Sequence, residues 1–105
     1  MADFGQIVAL YDLLLARRPS PVVALSRAIA IGELRGPDRA LEAIERIEER
    51  ERLLDYPFYA AALGELHLRA GRPERARAGF RDALARARSP AEARFLERRL
   101  SACRG

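Results

Sequence analysis

The chain has 105 residues and a formal net charge of +4, and at 11.7 kDa it is long enough for one domain but not for two. Half of its residues are hydrophobic, so a core can form without metal or disulfide support, and the single cysteine, Cys103, has no partner for an internal bridge. No apolar run reaches the ~20 residues that cross a bilayer, and the N-terminus lacks a secretory pattern. We therefore expect a cytoplasmic protein with no membrane contact.

The positive charge comes from arginine alone, because all 19 basic residues are arginines. Many of them alternate with acidic residues, as in the segment 42–52. On a helix, Glu42 and Arg46 would form an i,i+4 pair, as would Glu48 and Arg52. We therefore expect a solvated, internally paired surface and no direct nucleic-acid binding by this segment. The alternative is a basic patch that contacts phosphates.

Proline and glycine residues divide the chain into six predicted helices. Proline is favoured in the first turn of a helix, and Pro21, Pro37, Pro73 and Pro90 each precede a run of good helix formers. The predicted helices span residues 3–17, 20–34, 37–53, 56–70, 73–87 and 90–102. The short links between them require neighbouring helices to pack antiparallel. The sequence therefore predicts an all-α chain of antiparallel helical hairpins.

Several residues at the predicted helix ends have the chemistry that such positions need. Ser20 and Ser89 suit the N-cap, and Ser89 with Glu92 three residues later has the pattern of a capping box. Gly36 and Gly71 stand where the preceding helices should end.

The fourth and fifth helices contain a repeat motif, Leu63-Gly64-x2-His67-x3-Gly71-x4-Ala76-x3-Phe80-x2-Ala83-Leu84. This motif resembles the tetratricopeptide signature, with His67 at a position where an aromatic residue is usual. A weaker copy stands 36 residues earlier, where the segment 36–40 aligns with 72–76. We therefore predict one tetratricopeptide-like domain over 1–105, a short solenoid of about six helices. It would comprise a half repeat (3–19), a degenerate repeat (20–53), a better repeat (56–88) and a C-terminal helix (89–102).

The first helix has the spacing of a second repeat helix without its partner. Its apolar residues Ile7, Leu10, Leu14 and Leu15 would then lack cover on one face. We therefore expect the chain to be a piece of a longer protein. We also expect it to form a homo-oligomer through this helix or to pack on another protein.

The chain also resembles a family of longer proteins. The segments Gln6–Asp12 (QIVALYD), Pro19–Ala28 (PSPVVALSRA) and Arg94–Leu100 (RFLERRL) are similar to the C-terminal extension of bacterial extracytoplasmic-function (ECF) RNA polymerase sigma factors. Ser26 stands where that family would have asparagine. The resemblance implies a regulatory domain that contacts the upstream sigma regions or RNA polymerase. The alternative is a free-standing tetratricopeptide adaptor with an unrelated protein partner.

The residues suited to catalysis are too few for an enzyme. His67 is the single histidine, and its position predicts a packed aromatic substitute rather than a base or a ligand. One histidine and one remote cysteine cannot complete a zinc site, and no glycine-rich phosphate loop is present. We therefore expect no catalytic residues, no metal and no cofactor.

The family's geometry places a protein-binding groove along the first helix of each repeat. The alternative is that these residues are covered by the sixth helix or by other parts of a longer protein. An apolar or amphipathic segment is the expected ligand. The predicted groove residues are Val22, Leu25, Ile29, Glu33, Phe58, Ala61, Glu65, Leu68 and Arg69.

Overall fold

A computed structural model describes residues 3–103, and in this range the chain forms α-helices and one 3-10 turn, with no strand. The predicted all-α class and the six helices are confirmed. The α-helices are α1 (Phe4–Arg17), α2 (Pro21–Arg35), α3 (Pro37–Glu45), α4 (Pro57–Arg69), α5 (Pro73–Ala85) and α6 (Pro90–Ala102), and the 3-10 turn spans Arg50–Leu53.

The helix ends use the residues that the sequence provides for them. The Ser20 hydroxyl accepts a hydrogen bond from the Val23 amide at 3.3 Å, and the Ser89 hydroxyl accepts one from the Glu92 amide at 3.1 Å. The Glu92 carboxylate accepts from the Arg88 amide at 2.8 Å, one residue earlier than in an ordinary capping box. Both predicted N-caps are therefore confirmed.

Two glycines take the left-handed backbone conformation where helices end, Gly36 with φ 96° and Gly71 with φ 79°. A side chain at either position would be strained, which explains why glycine is used there. The Arg72 amide donates to the His67 carbonyl at 2.9 Å across the second of these turns and so closes the end of α4.

The third helix is shorter than predicted, and the expected continuation to residue 53 is wrong. It ends at Glu45, Glu49 has a positive φ of 57°, and the 3-10 turn then brings Leu53 into the buried interior beside α2. The expected i,i+4 pairs of this segment are replaced by exposed i,i+3 pairs, such as Glu49–Arg52 at 3.6 Å. Such surface ion pairs contribute little to stability. The burial of Leu53 therefore stabilises the chain more than a longer α3 would.

The chain divides into two compact units, Met1–Leu53 and Leu54–Gly105, and the division falls between the two predicted repeats. In unit 1, α1 and α3 both pack against α2. In unit 2, α4 and α6 both pack against α5. Each unit is therefore a pair of antiparallel hairpins that share one central helix.

Positions that the 36-residue alignment pairs are buried in both units. Ala40 and Ala76 have no exposed surface, and Ile44 and Phe80 are the large buried side chains next to them. In unit 2, Phe80 belongs to a core cluster that includes Leu96 and Cys103 of α6. The repeat in the sequence therefore corresponds to a repeat in the core.

The α4–α5 seam of unit 2 depends on two glycines. A Cβ at Gly79 would lie 2.9 Å from the Ala60 carbonyl oxygen and 2.9 Å from the Gly64 nitrogen. A Cβ at Gly64 would lie 3.0 Å from the Phe80 ring. The two backbones therefore approach more closely than any residue with a side chain allows.

Within residues 3–103, the helices are too short or too polar for any of them to cross a membrane.

Candidate interaction site

The four predicted groove residues of unit 1 do not form one open surface. Val22, Ile29 and Glu33 are exposed on α2. Leu25 is only 2% exposed and belongs to the core, so it does not line a groove.

The five predicted groove residues of unit 2 have two different environments. Phe58 and Arg69 are exposed on α4. Ala61 and Leu68 are half-buried against the core cluster that includes residues of α6. Glu65 is half-buried and ion-paired with α6. The sixth helix therefore covers part of the predicted surface and leaves its Phe58 end open.

The open part is a small cleft between the N-terminal halves of α4 and α6, which we call the aromatic cleft. Its volume is about 60 Å³. Phe58 is 59% exposed and Phe95 is 47% exposed, and both line it. The other lining residues are Pro57, Ala61, Ala83, Glu92 and Leu96.

Neighbouring contacts hold parts of this cleft in place. The rings of Tyr56 and Phe58 meet edge to face, with centroids 5.5 Å apart and an angle of 69°. The Glu92 carboxylate is occupied by the Arg88 amide at the start of α6. The cleft therefore offers apolar contact area together with a carboxylate that already has a donor.

An ion pair joins the two helices that form the cleft. Arg99 on α6 donates two hydrogen bonds to the Glu65 carboxylate, at 2.5 Å from Nε and 2.9 Å from Nη2. The same guanidinium lies 5.9 Å from the centre of the Phe80 ring. The hydrogen bonds that Arg99 donates to the Glu65 carboxylate raise the pKa of Arg99 above its ordinary value despite the opposing effect of burial. The pair is bidentate and fixes α6 against α4.

The dimensions of the cleft determine what it can bind. Sites for small molecules and cofactors usually measure ~300–1,000 Å³, and the cleft is far smaller. It has room for about one side chain of a ligand, with the two phenylalanine rings as walls. This arrangement suits an apolar anchor residue of another polypeptide.

The single histidine of the chain is hydrogen-bonded within unit 2. His67 is half-buried on α4, and its Nδ1 accepts a hydrogen bond from Arg72 Nε at 3.2 Å. Among residues 3–103, no three histidine, cysteine, aspartate or glutamate side chains converge as a metal site would require.

Phe95 was absent from the sequence-based groove. The core stripe of α6 is Leu96, Leu100 and Cys103, at i, i+4 and i+7, and Phe95 lies beside this stripe instead of on it. The sequence signal for Phe95 is a large aromatic residue beside the core stripe of an amphipathic helix. The predicted groove included only the first helix of each repeat, so it left out α6.

The chain is similar to an uncharacterized protein of Rhizobium meliloti (strain 1021). The two are 38% identical over 98 residues, which is 93% of this chain and 23% of that protein. The chain thus spans about a quarter of the length of the curated relative it matches, and the match includes parts of both units. No family model matches the chain, and no solved structure matches it.

Proposed function

We propose that this chain is a protein-interaction and regulatory domain of an ECF-type RNA polymerase sigma factor. In this proposal it modulates transcription initiation through contacts with the upstream sigma regions or with RNA polymerase. The observation that carries the interaction role is the pair of exposed rings, Phe58 and Phe95, on either side of an apolar cleft. Exposed aromatic side chains at a recess are the usual anchors of a protein interface.

The apolar area at the cleft is large enough to support binding. Phe58 and Phe95 together leave about one complete phenylalanine side chain exposed, since their exposed fractions are 59% and 47%. Burying the equivalent of one phenylalanine side chain contributes roughly 2–3 kcal/mol. Part of this free energy is offset by the cost of association. The two rings would therefore act as anchors within a larger interface, because micromolar affinity needs about 8 kcal/mol.

Two observations support the sigma-factor context. The segments of α1, α2 and α6 quoted above resemble the C-terminal extension of ECF sigma factors. The Rhizobium relative is about four times as long as the matched segment, so in that protein this region accompanies some three quarters of additional chain. A regulatory domain attached to promoter-reading regions would have this arrangement.

A binding and transcription experiment tests the proposal. The gene segment upstream of Met1 is sequenced, any sigma-like regions encoded in frame are purified, and their affinity for this chain is measured by fluorescence anisotropy. RNA polymerase core enzyme is measured in the same way. We expect Phe58→Ser with Phe95→Ser to weaken binding to one of these partners by at least tenfold and to alter promoter-dependent transcription by the full-length protein.

Leu13→Ser is the matched control, because Leu13 is 66% exposed and lies on α1, outside the cleft. It should leave binding unchanged. If the double phenylalanine variant binds as the native chain does, the aromatic cleft is not the interface. If the chain binds neither sigma regions nor polymerase, the sigma-factor role is wrong.

The second candidate is a free-standing adaptor that uses the same cleft for an unrelated protein. The exposed rings support an adaptor as well as they support a sigma-factor domain, because they can contact a protein partner whether or not other domains are attached. A stop codon in frame upstream of Met1, together with binding lost in the double phenylalanine variant, would support the adaptor.

A further inference from the structure

The outer face of α1 is a stripe of exposed leucines. Leu10 is 59% exposed, Leu13 is 66% exposed and Leu14 is 53% exposed. These residues lie at i, i+3 and i+4, so they share one face of the helix. The other side of α1, where Val8 and Leu15 are half-buried, packs on α2. The leucine stripe, Leu10, Leu13 and Leu14, is therefore the open face of α1.

The repeat pattern marks this face as one that contacts another helix. Leu10 of α1 aligns with Gly79 of α5, and Leu14 aligns with Ala83. In unit 2, Ala83 is 2% exposed and Gly79 lies against the backbone of α4. Because α1 has leucines where α5 has small residues, a helix packed on α1 must lie farther from it than α4 lies from α5. At an axis separation near ~10 Å, the leucine side chains of two helices can interleave.

The charges of α1 and its cap residues differ in sign between the two ends. Asp3, at the N-cap, has an exposed carboxylate, and Arg17 and Arg18, at the C-terminal end, have exposed guanidinium groups. Among residues 3–103, none of these three has an oppositely charged side chain within ion-pair distance. The remaining charged residue, Asp12, is paired with Arg27 of α2 at 2.6 Å. The open face of α1 is therefore acidic at its start and basic at its end.

The neighbouring helix does not cancel this difference. Because α2 packs antiparallel to α1, the end of α2 lies toward Asp3, and its charged residues Glu33 and Arg35 have opposite signs. The first turn of α2, on the side of Arg17, has no charged residue.

We propose that α1 pairs antiparallel with α1 of a second copy of this chain, around a two-fold axis at Leu10. Residue 10 is the midpoint between Asp3 and Arg17, seven residues from each, which at ~1.5 Å per residue is about 10 Å along the helix. The axis therefore places Asp3 of each copy opposite Arg17 of the other. Leu10 packs on its own counterpart, and Leu14 lies beside Ile7 of the other copy.

The charges decide both the occupant and its direction. A second copy has the same leucine stripe and the same two charged ends, so the surface is complementary to itself when one copy is reversed. A parallel pair would place Arg17 and Arg18 of both copies together, and like charges at close range disfavour that arrangement.

The size of the contact determines its strength. A standard interface buries ~1,200–2,000 Å², and a single pair of short helices buries less. We therefore expect a reversible dimer with a dissociation constant of the order of 10–100 micromolar. The pair uses no residue of the aromatic cleft, so this inference does not depend on the function proposed above.

Sedimentation equilibrium of the full chain, from about one micromolar to about one millimolar, tests the proposal. Leu10→Ser removes the side chain at the axis from both copies and should raise the dissociation constant of the dimer at least about tenfold. Leu54→Ser is the matched control, because Leu54 is 54% exposed but lies in unit 2 and not on α1. It should leave the dissociation constant unchanged. Circular dichroism confirms that each variant is folded.

Arg17→Asp tests the direction of pairing. In the antiparallel pair it places a second carboxylate opposite Asp3, so the dissociation constant should rise about tenfold. In a parallel pair, like charges would face each other before and after the change, and the dissociation constant would stay the same. Asp3→Arg should weaken the dimer in the same way as Arg17→Asp. An equimolar mixture of the two variants should dimerise as the native chain does, because the mixed dimer regains both ion pairs, and raised salt should reduce this recovery.

Four results would overturn the proposal. One is a chain that stays monomeric over the whole concentration range. A second is a Leu54→Ser variant that loses as much association as Leu10→Ser does. A third is an Arg17→Asp variant that dimerises as the native chain does. A fourth is a mixture of Asp3→Arg and Arg17→Asp chains that associates no better than either variant alone.

Discussion

Replacing Gly79 with alanine tests how tightly α4 and α5 approach. The new Cβ would lie 2.9 Å from the Ala60 carbonyl oxygen, 2.9 Å from the Gly64 nitrogen and 3.0 Å from the Gly64 Cα. All three neighbours are backbone atoms, so a side-chain rotation cannot relieve the overlap. The helices must move apart by about half an ångström, which weakens the contacts that surround Phe80.

The expected loss of stability follows from two opposing effects. Overpacking of this kind costs about 3 kcal/mol when the surrounding backbone must shift. Alanine in place of glycine within a helix returns about 1 kcal/mol through helix propensity. The Gly79→Ala variant should therefore be destabilised by about 2 kcal/mol, which corresponds to a fall in Tm of roughly 8–16 °C.

Gly5→Ala is the matched control. Gly5 lies in the first turn of α1, and a Cβ there would meet only the Asp3 carboxylate oxygen, at 3.3 Å. That oxygen also caps α1 by accepting from the Gln6 amide at 3.2 Å, and it needs to shift by only a few tenths of an ångström. The gain in helix propensity offsets a slightly weaker cap, so this variant should be close to neutral. Urea unfolding followed by circular dichroism measures both. A Gly79→Ala chain as stable as the native one would show that the seam is looser than the structure indicates.

Three further outcomes are expected. Arg99→Lys should lower the free energy of unfolding by about 1 kcal/mol, because an ammonium cannot reproduce the two parallel hydrogen bonds to Glu65; equal urea midpoints would contradict this. The isolated chain should self-associate through α1, where Leu10 and Leu14 are exposed, and Leu14→Ser should reduce that association in light scattering; a mass that is constant over a tenfold concentration range would count against it. Binding to duplex DNA should be weak and should vanish at moderate salt, and micromolar affinity at physiological salt would show that the arginines form a phosphate-binding patch.

Two of the predicted groove residues, Glu65 and Leu68, are poor probes of an interaction. Glu65 is bound to Arg99, and Leu68 packs against the unit 2 core, so substituting either would disturb the fold as well as the surface. Phe58 and Phe95 are exposed, and serine at these positions removes contact area with little effect on the core. They are therefore the better probes of interaction.

The local structure could be predicted from the sequence because its causes are local. Ser20 and Ser89 cap helices through bonds to amides three residues away, and Gly36 and Gly71 provide the positive φ that ends a helix. The 36-residue repeat pairs Ile44 with Phe80, and both side chains are buried in the core. Phe58 and Ala61, two of the predicted groove residues, both line the aromatic cleft.

Other features depend on contacts between distant residues, and only the tertiary structure shows them. Gly79 aligns with Ala43 in the repeat, so nothing in the pattern marks it as the point of closest backbone approach. The early end of α3 follows from the burial of Leu53 beside α2, a contact that helix propensity does not contain. The partial cover of Glu65 by α6 has the same origin. In each case the packing of one helix against another decides which apolar face is covered and which stays exposed. Helical periodicity predicts the apolar face of each helix, but it does not predict which other helix packs against that face.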